Sequence, residues 1–148
     1  MTNKHYSLLL KQASALVSGE PDFIANAANV ASLLYHNLEQ VNWVGFYIFR
    51  GDELVLGPFS GQPACTRIPV GKGVCGAAFS QQSTLLIDDV HAFPGHIACD
   101  AASESEIVVP FSSKEFKGVF DVDSPVQNRF GVDEQRLFES IVALFNEI

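Results

Sequence analysis

The stretch EIVVPFSSKEFKGVFDVDSP, residues 106–125, decides the fold. It contains two β-prone runs, 106–111 and 117–123, separated by a short polar segment, and this pattern predicts a β-hairpin. A second pair of β-prone runs surrounds the turn signal at residues 50–52 in WVGFYIFRGDELVLGPF, residues 43–59. Because strands joined by short turns run antiparallel, the two hairpins predict a mainly antiparallel sheet.

Helical periodicity appears at the two ends of the chain. A first predicted helix, residues 5–20, has one apolar face, formed by Leu9, Ala13, Leu16 and Val17. Residues 20–40 predict a second helix, and residues 132–148 predict a last one with Asp133 as its N-cap. Helices grouped at the ends of the chain indicate an α+β fold in which they pack on one face of the sheet. No linker or internal repeat divides residues 1–148, so we expect a single domain.

Composition limits the partners that the protein can have. The formal net charge is −8 and the Lys and Arg residues form no cluster, which argues against nucleic acid or an anionic membrane as a partner. The apolar stretch near the N-terminus, residues 8–10, is too short for a signal peptide or a membrane span. We therefore expect a cytoplasmic protein with reduced thiols. Its 3 cysteines, an odd number, do not indicate a structural disulfide framework.

The cysteines Cys65, Cys75 and Cys99 are the first candidates for chemistry. No Cys-x-x-Cys pair is present, so a zinc ribbon and a thioredoxin-type motif are both excluded. Two alternatives stay open: a zinc site formed by His96, Cys99 and a distant cysteine, and three cysteines that are simply small buried hydrophobic residues. Local electrostatics favour Cys75 as the reactive thiol, because the N-terminus of a predicted helix within residues 71–83 would stabilise its thiolate.

Three acids and two aromatic residues form the second set of candidates. Asp121 and Asp123 alternate along a predicted strand and therefore project from the same face. The predicted hairpin brings Glu106 beside them, and three carboxyl groups at one strand end could bind a metal, an ammonium group or only water. Trp43 and Tyr47 also share one face of a strand, where they are either ordinary core or the wall of a pocket for a small apolar or thioether group.

Four motifs together resemble one enzyme family. They are NWVGFY, GPFSGQPACTRIPVGKGVCGAA, IDDVHAFPGHIACDAASESEIVVP and GVFDVDSP, and they are similar to motifs of the free methionine-R-sulfoxide reductases, which are GAF-domain enzymes. The resemblance spans roughly residues 30–148 and includes the spacing of all three cysteines. It implies a single GAF domain with a central antiparallel sheet. It also implies an oxidoreductase that converts free L-methionine-(R)-S-oxide to L-methionine.

The resemblance implies a role for each cysteine. Cys99 corresponds to the catalytic nucleophile, Cys65 to the resolving cysteine and Cys75 to an additional cysteine that can help in recycling. The reaction would proceed through a sulfenic acid and an intramolecular disulfide, which thioredoxin would reduce. The resemblance also implies that this chemistry needs no prosthetic cofactor and no metal, and that the protein is a homodimer.

The same resemblance implies that the acids and aromatic residues form the substrate site. Glu106, Asp121 and Asp123 correspond to the family's acidic cluster, and Trp43 and Tyr47 to its aromatic wall. A carboxyl group with a raised pKa, either Glu106 or Asp123, would donate a proton to the sulfoxide oxygen. The other carboxylates would bind the α-ammonium group of the substrate. The competing interpretation is a non-catalytic GAF domain that binds a ligand or senses oxidants.

Overall fold

A single six-stranded sheet organises the computed structural model, which describes residues 3–97, 99 and 101–148. In chain order the strands are β1 (Trp43–Arg50), β2 (Glu53–Gly61), β3 (Arg67–Pro69), β4 (Leu85–Ile87), β5 (Ser105–Ser112) and β6 (Lys117–Ser124). Their order across the sheet is β3-β2-β1-β6-β5-β4, and every neighbouring pair is antiparallel. Both predicted hairpins, β1–β2 and β5–β6, are therefore confirmed.

Helices cover both faces of this sheet. In the described part of the chain they are α1 (Asn3–Val17), α2 (Phe23–Asn37), α3 (Gly73–Gln81), α4 (Val132–Ala143) and a 3-10 turn at Val90–Ala92. The helices α1, α2 and α4 share one apolar core with the sheet residues Phe46, Phe120 and Val122. Helix α3 packs on the opposite face, against Val108 and Val119. The predicted packing of the terminal helices on one face is confirmed, while α3 covers the face that carries the candidate site.

The start and the apolar face of α2 follow from its sequence. The Asp22 side chain accepts a hydrogen bond from the backbone N–H of Ala25 at 2.8 Å, which caps the first turn. The face that the periodicity predicts is buried, with Phe23, Ala27, Val30, Leu34 and Leu38 at most 7% exposed. This face packs on β1 and β2 and fixes that half of the sheet.

Two local details of the other helices differ from the sequence-based prediction. Leu16, which the sequence pattern predicts to lie on the apolar face of α1, is 41% exposed. The buried face of α1 consists instead of residues spaced three or four apart, namely Tyr6, Leu9, Ala13 and Val17. Asp133 lies inside the first turn of α4 and is not its N-cap, which is Gly131. The backbone N–H of Gly131 donates to Oε1 of Glu134 at 2.6 Å, so a side chain one turn along the helix caps this end.

The lengths of the helices indicate whether any of them could cross a membrane. The helices α1 and α2 have 15 residues each. Within the described residues, none of the helices combines the length and the apolar composition that crossing a bilayer requires.

Candidate active site

The strand register brings the three candidate acids together on the α3 side of the sheet. Glu106 of β5 pairs with Asp123 of β6, and Asp123 pairs on its other side with Trp43 of β1. Asp121 lies two residues before Asp123 and points from the same face. All three acids are buried, with exposed fractions of 5–8%. The predicted cluster at one strand end therefore exists, and it lies inside the protein rather than in solvent.

Burial changes the electrostatics of this cluster. The pKa values of Glu106, Asp121 and Asp123 are all raised well above the ordinary carboxyl range, first by desolvation and then by the neighbouring carboxyl charges. One oxygen of each aspartate, Oδ1, has no hydrogen-bond partner within the described residues. No Lys or Arg is among the described residues that line the adjacent cavity. The cluster consequently favours bound protons or a cation.

Cys75 belongs to the same buried group. Its Sγ lies 3.9 Å from Oε2 of Glu106, and the residue is 5% exposed. Burial and then the charge of Asp121 raise the pKa of the Cys75 thiol well above its ordinary value. The prediction that the N-terminus of α3 makes this thiol reactive is wrong, because desolvation and three carboxyl groups outweigh the helix dipole. The ligand atoms of Cys75, Glu106 and Asp121 lie within 4.8 Å of one another, a spacing that could also hold a cation.

The other two cysteines are joined to each other. Cys65 and Cys99 form a disulfide with their Cα atoms 5.1 Å apart. Both are half-buried and lie on the segments that border the α3 side of the sheet. Because Cys99 has no free thiolate in this form, the alternative of a zinc site with His96 and Cys99 is not available to it. The His96 ring borders the same cavity, and burial followed by the charge of His91 lowers its pKa.

A small cavity of about 30 Å³ lies between the disulfide and the acids. It has room for about one or two water molecules. Its walls come from β1, β3, β5, β6, α3 and the loop that carries Cys99, and they are formed by Tyr47, Ile68, Gly73, Val74, Cys75, His96, Ile97, Cys99, Ser103, Glu106, Asp121 and Asp123. The sequence-predicted residues Cys75, Cys99, Tyr47 and the three acids therefore meet at one place. Cys65 reaches it through its disulfide.

The aromatic residues Trp43 and Tyr47 pack beside this cavity. The rings of Trp43 and Tyr47 stack with centroids 5.9 Å apart and an interplanar angle of 24°. Tyr47 borders the cavity, whereas Trp43 is not among its described lining residues and stacks with both Tyr47 and Phe59. Gly45 makes this stack possible, because a Cβ at that position would overlap both the Trp43 ring and Phe59.

Ser103 is a site residue that the sequence reasoning missed. It is 6% exposed, borders the cavity and forms a side-chain hydrogen bond with Asp123. Nδ2 of Asn42 donates a hydrogen bond to its Oγ at 3.3 Å. Ser103 lies in a loop of small polar residues, where no helix or strand pattern distinguishes it from its neighbours. Its closeness to Cys99 in the sequence is the only signal that could have indicated a role.

Comparisons with known proteins show which family the chain resembles. The GAF domain family model matches residues 16–147. The free methionine-R-sulfoxide reductase of Escherichia coli (strain K12) is 48% identical over 144 residues, which cover 97% of this chain and 87% of that protein. The structure of fRMsr of Staphylococcus aureus in complex with substrate has 50% sequence identity and a TM-score of 0.88, covering 94% of this chain and 92% of that one. The free methionine-R-sulfoxide reductase from Neisseria meningitidis, in complex with its substrate, has 41% identity and a TM-score of 0.91, covering 98% of this chain and 89% of that one.

Proposed function

The chain belongs to the free methionine-R-sulfoxide reductases within the GAF-domain family, and we propose that it reduces free L-methionine-(R)-S-oxide to L-methionine with its own thiols. One observation carries the proposal: the Cys65–Cys99 disulfide borders a cavity that three buried acids and Cys75 line on another side. Two cysteines that can pass from two thiols to a disulfide, beside groups that hold protons, are what two-electron reduction of a sulfoxide needs.

The first chemical step is attack on the substrate by Cys99. Its thiolate takes the sulfoxide oxygen with one proton, so that Cys99 becomes a sulfenic acid, methionine leaves, and the substrate sulfur gains the two electrons that the cysteine sulfur loses. The proton comes from a carboxyl group of the buried cluster. The raised pKa values of Glu106 and Asp123 support either as that donor.

The second step regenerates the enzyme. The Cys65 thiol attacks the sulfenic acid of Cys99, water leaves, and the disulfide seen in this structure forms. The high pKa of the Cys75 thiol supports Cys65 as the main resolving residue and leaves Cys75 an additional part in recycling. A protein dithiol of the thioredoxin type then reduces the disulfide by exchange, and no prosthetic cofactor or metal takes part.

Substrate recognition follows from charge. Glu106, Asp121 and Asp123 lie at a buried site whose described lining holds no Lys or Arg. The carboxylates of this cluster that do not donate the proton would bind the α-ammonium group of a free amino acid. Methionine sulfoxide within a peptide has no such group, which would confine the enzyme to the free compound. The Tyr47 ring, backed by Trp43, would contact the thioether end of the substrate.

The cellular setting is a further part of this proposal. A thiol enzyme that a dithiol protein recycles needs a reducing compartment, so we place it in the cytoplasm. A homodimer is the assembly that the family resemblance implies. Sedimentation analysis of the purified protein tests the dimer, and cell fractionation tests the compartment.

The experiment that tests the reaction couples it to thioredoxin, thioredoxin reductase and NADPH. Free L-methionine-(R)-S-oxide, its S epimer and N-acetyl-methionine sulfoxide are compared, for the natural protein and for Cys99→Ser. We expect turnover of the free R epimer alone, lost in Cys99→Ser. Activity that survives in Cys99→Ser would move the nucleophile to another cysteine. No turnover of any sulfoxide would leave a GAF domain that binds a ligand or senses oxidants.

A further inference from the structure

The rings of Trp43 and Tyr47 contact the chain segment that carries Cys65. Residues 62–66 connect β2 to β3 and carry Cys65, and two backbone carbonyls of this segment accept hydrogen bonds from the rings. Nε1 of Trp43 donates to the carbonyl oxygen of Gln62 at 3.0 Å. The hydroxyl of Tyr47 donates to the carbonyl oxygen of Cys65 itself at 2.9 Å. One end of the segment and its cysteine are thus tied to side chains of β1.

The rings can fix the segment because they are themselves held tightly. Trp43 and Tyr47 are each 1% exposed. Phe59 also stacks with Trp43, with centroids 5.3 Å apart and an interplanar angle of 14°. Gly61 has a φ of +135°, and a Cβ there would lie 2.6 Å from the Trp43 ring, so the backbone that enters the segment packs directly on that ring.

We propose that Trp43 and Tyr47 are positioning residues for the resolving thiol, holding Cys65 within reach of Cys99. This inference deepens the proposed function and rests on it. The aromatic pair would act twice, first as a wall beside the substrate and then as an anchor for the segment that closes the disulfide. The two hydrogen bonds are its direct support, because they end on the Cys65 segment rather than in the cavity.

The step that this anchor serves joins two sulfur atoms. The Cys65 thiol attacks the sulfur of the Cys99 sulfenic acid, the S–O bond breaks, and the oxygen leaves as water after taking the thiol proton. Its rate depends on how often the thiol lies in attacking position, so an ordered segment speeds it. The Tyr47 hydroxyl remains a donor throughout, because burial and then the charge of Asp121 raise its pKa far above neutral pH.

Tyr47→Phe isolates the anchor, because it keeps the ring and removes the hydroxyl. Tyr6→Phe is the matched control, since it removes a hydroxyl that donates to Oε2 of Glu134 at 2.6 Å on the far side of the sheet. Each reduced protein reacts once with free L-methionine-(R)-S-oxide in the presence of dimedone, which traps sulfenic acid. Released methionine and trapped Cys99 are then measured by chromatography and mass spectrometry.

The measured ratio is the amount of Cys99 trapped by dimedone per methionine released. We expect this ratio to be about 2- to 10-fold higher for Tyr47→Phe than for the natural protein, because the net free energy of one hydrogen bond corresponds to a factor of that size. The ratio for Tyr6→Phe should equal that of the natural protein. A Tyr47→Phe ratio equal to the natural one overturns the inference, as does an equal rise in both variants.

A second readout needs no sulfoxide and separates this inference from the proposed function. The reduced proteins are equilibrated with mixtures of reduced and oxidised glutathione, and the Cys65–Cys99 disulfide is quantified. Tyr47→Phe should lower the equilibrium constant for this disulfide by about 2- to 10-fold, and Tyr6→Phe should not. If the natural protein releases no methionine, the proposed function fails and this equilibrium alone decides the inference. An unchanged equilibrium for Tyr47→Phe refutes it.

Discussion

Replacing one acid of the buried cluster should make the protein more stable and less active. Asp121→Asn keeps the size of the side chain and its ability to hydrogen-bond Glu106, but it removes one ionisable group. Because the pKa of Asp121 is raised in the folded state, its contribution to stability is fully present below the ordinary carboxyl pKa, about 4. That contribution is lost as the pH rises through the folded pKa, so the variant's advantage should appear above about pH 4.

The distances in the cluster bound the size of this effect. Oxygen atoms of Glu106 and Asp121 lie within 4.8 Å, where two full charges repel by about 3.5 kcal/mol at an effective dielectric constant of about 20. Partial protonation of the cluster already relieves some of this repulsion in the natural protein. We therefore expect Asp121→Asn to gain about 2 kcal/mol near pH 7, which corresponds to a Tm increase of about 4–8 °C.

Thermal unfolding of the disulfide form at a series of pH values measures this gain. Asp52→Asn, at an exposed turn, is the control and should change Tm little at any pH. In the coupled assay Asp121→Asn should raise KM for the free sulfoxide, since one partner of the substrate ammonium is gone. A variant that is less stable than the natural protein near pH 7, or that differs from it equally at pH 4 and pH 7, would refute the reasoning.

Three other predictions concern the small cavity beside the disulfide and the apolar core. Free L-methionine-(R)-S-oxide should bind the reduced protein but not the disulfide form, because the cavity of the disulfide form holds only about one or two water molecules. Binding detected by calorimetric titration of the oxidised protein would contradict this prediction. Gly45→Ala should lower the free energy of unfolding by about 1–3 kcal/mol in urea, because its Cβ overlaps the Trp43 ring, and a neutral result would show that the stack can shift. Leu34 is fully buried under the sheet, so Leu34→Ala should lower the free energy of unfolding by about 2–5 kcal/mol. Leu8 is 52% exposed, so Leu8→Ala should change the free energy of unfolding little in the same urea titration.

The sheet and its acids could be read from the sequence because strand patterns are local. Alternation places Asp121 and Asp123 on one face whatever surrounds them, and a short turn makes the first residue of one strand meet the last of the next. Glu106 opposite Asp123 is the observed result. Neither the alternation nor the turn indicates whether that face of the sheet is exposed to solvent. Burial of this face under α3 raises the pKa values of Glu106, Asp121 and Asp123.

Cys75 shows why local rules misjudge reactivity. Its neighbours along the chain are glycines at a helix start, which favour a thiolate, while its neighbours in space are carboxyl groups from β5 and β6. These residues are 31 or more positions away in sequence, and no window around Cys75 contains them. A pKa depends on every charge and on the amount of solvent around a group, so only the packed structure decides it.

Periodicity, turn signals and motif spacing determined the antiparallel sheet, the terminal helices, the shared face of the acids and the family, because each depends on residues close in the chain or on matched motifs. The tertiary structure alone decided that Cys75 is shielded, that the cavity beside the disulfide is small, and that the rings of β1 hold the Cys65 segment. The physical reason is that burial, hydrogen bonds between distant segments and the sum of local charges arise only when separate elements pack together.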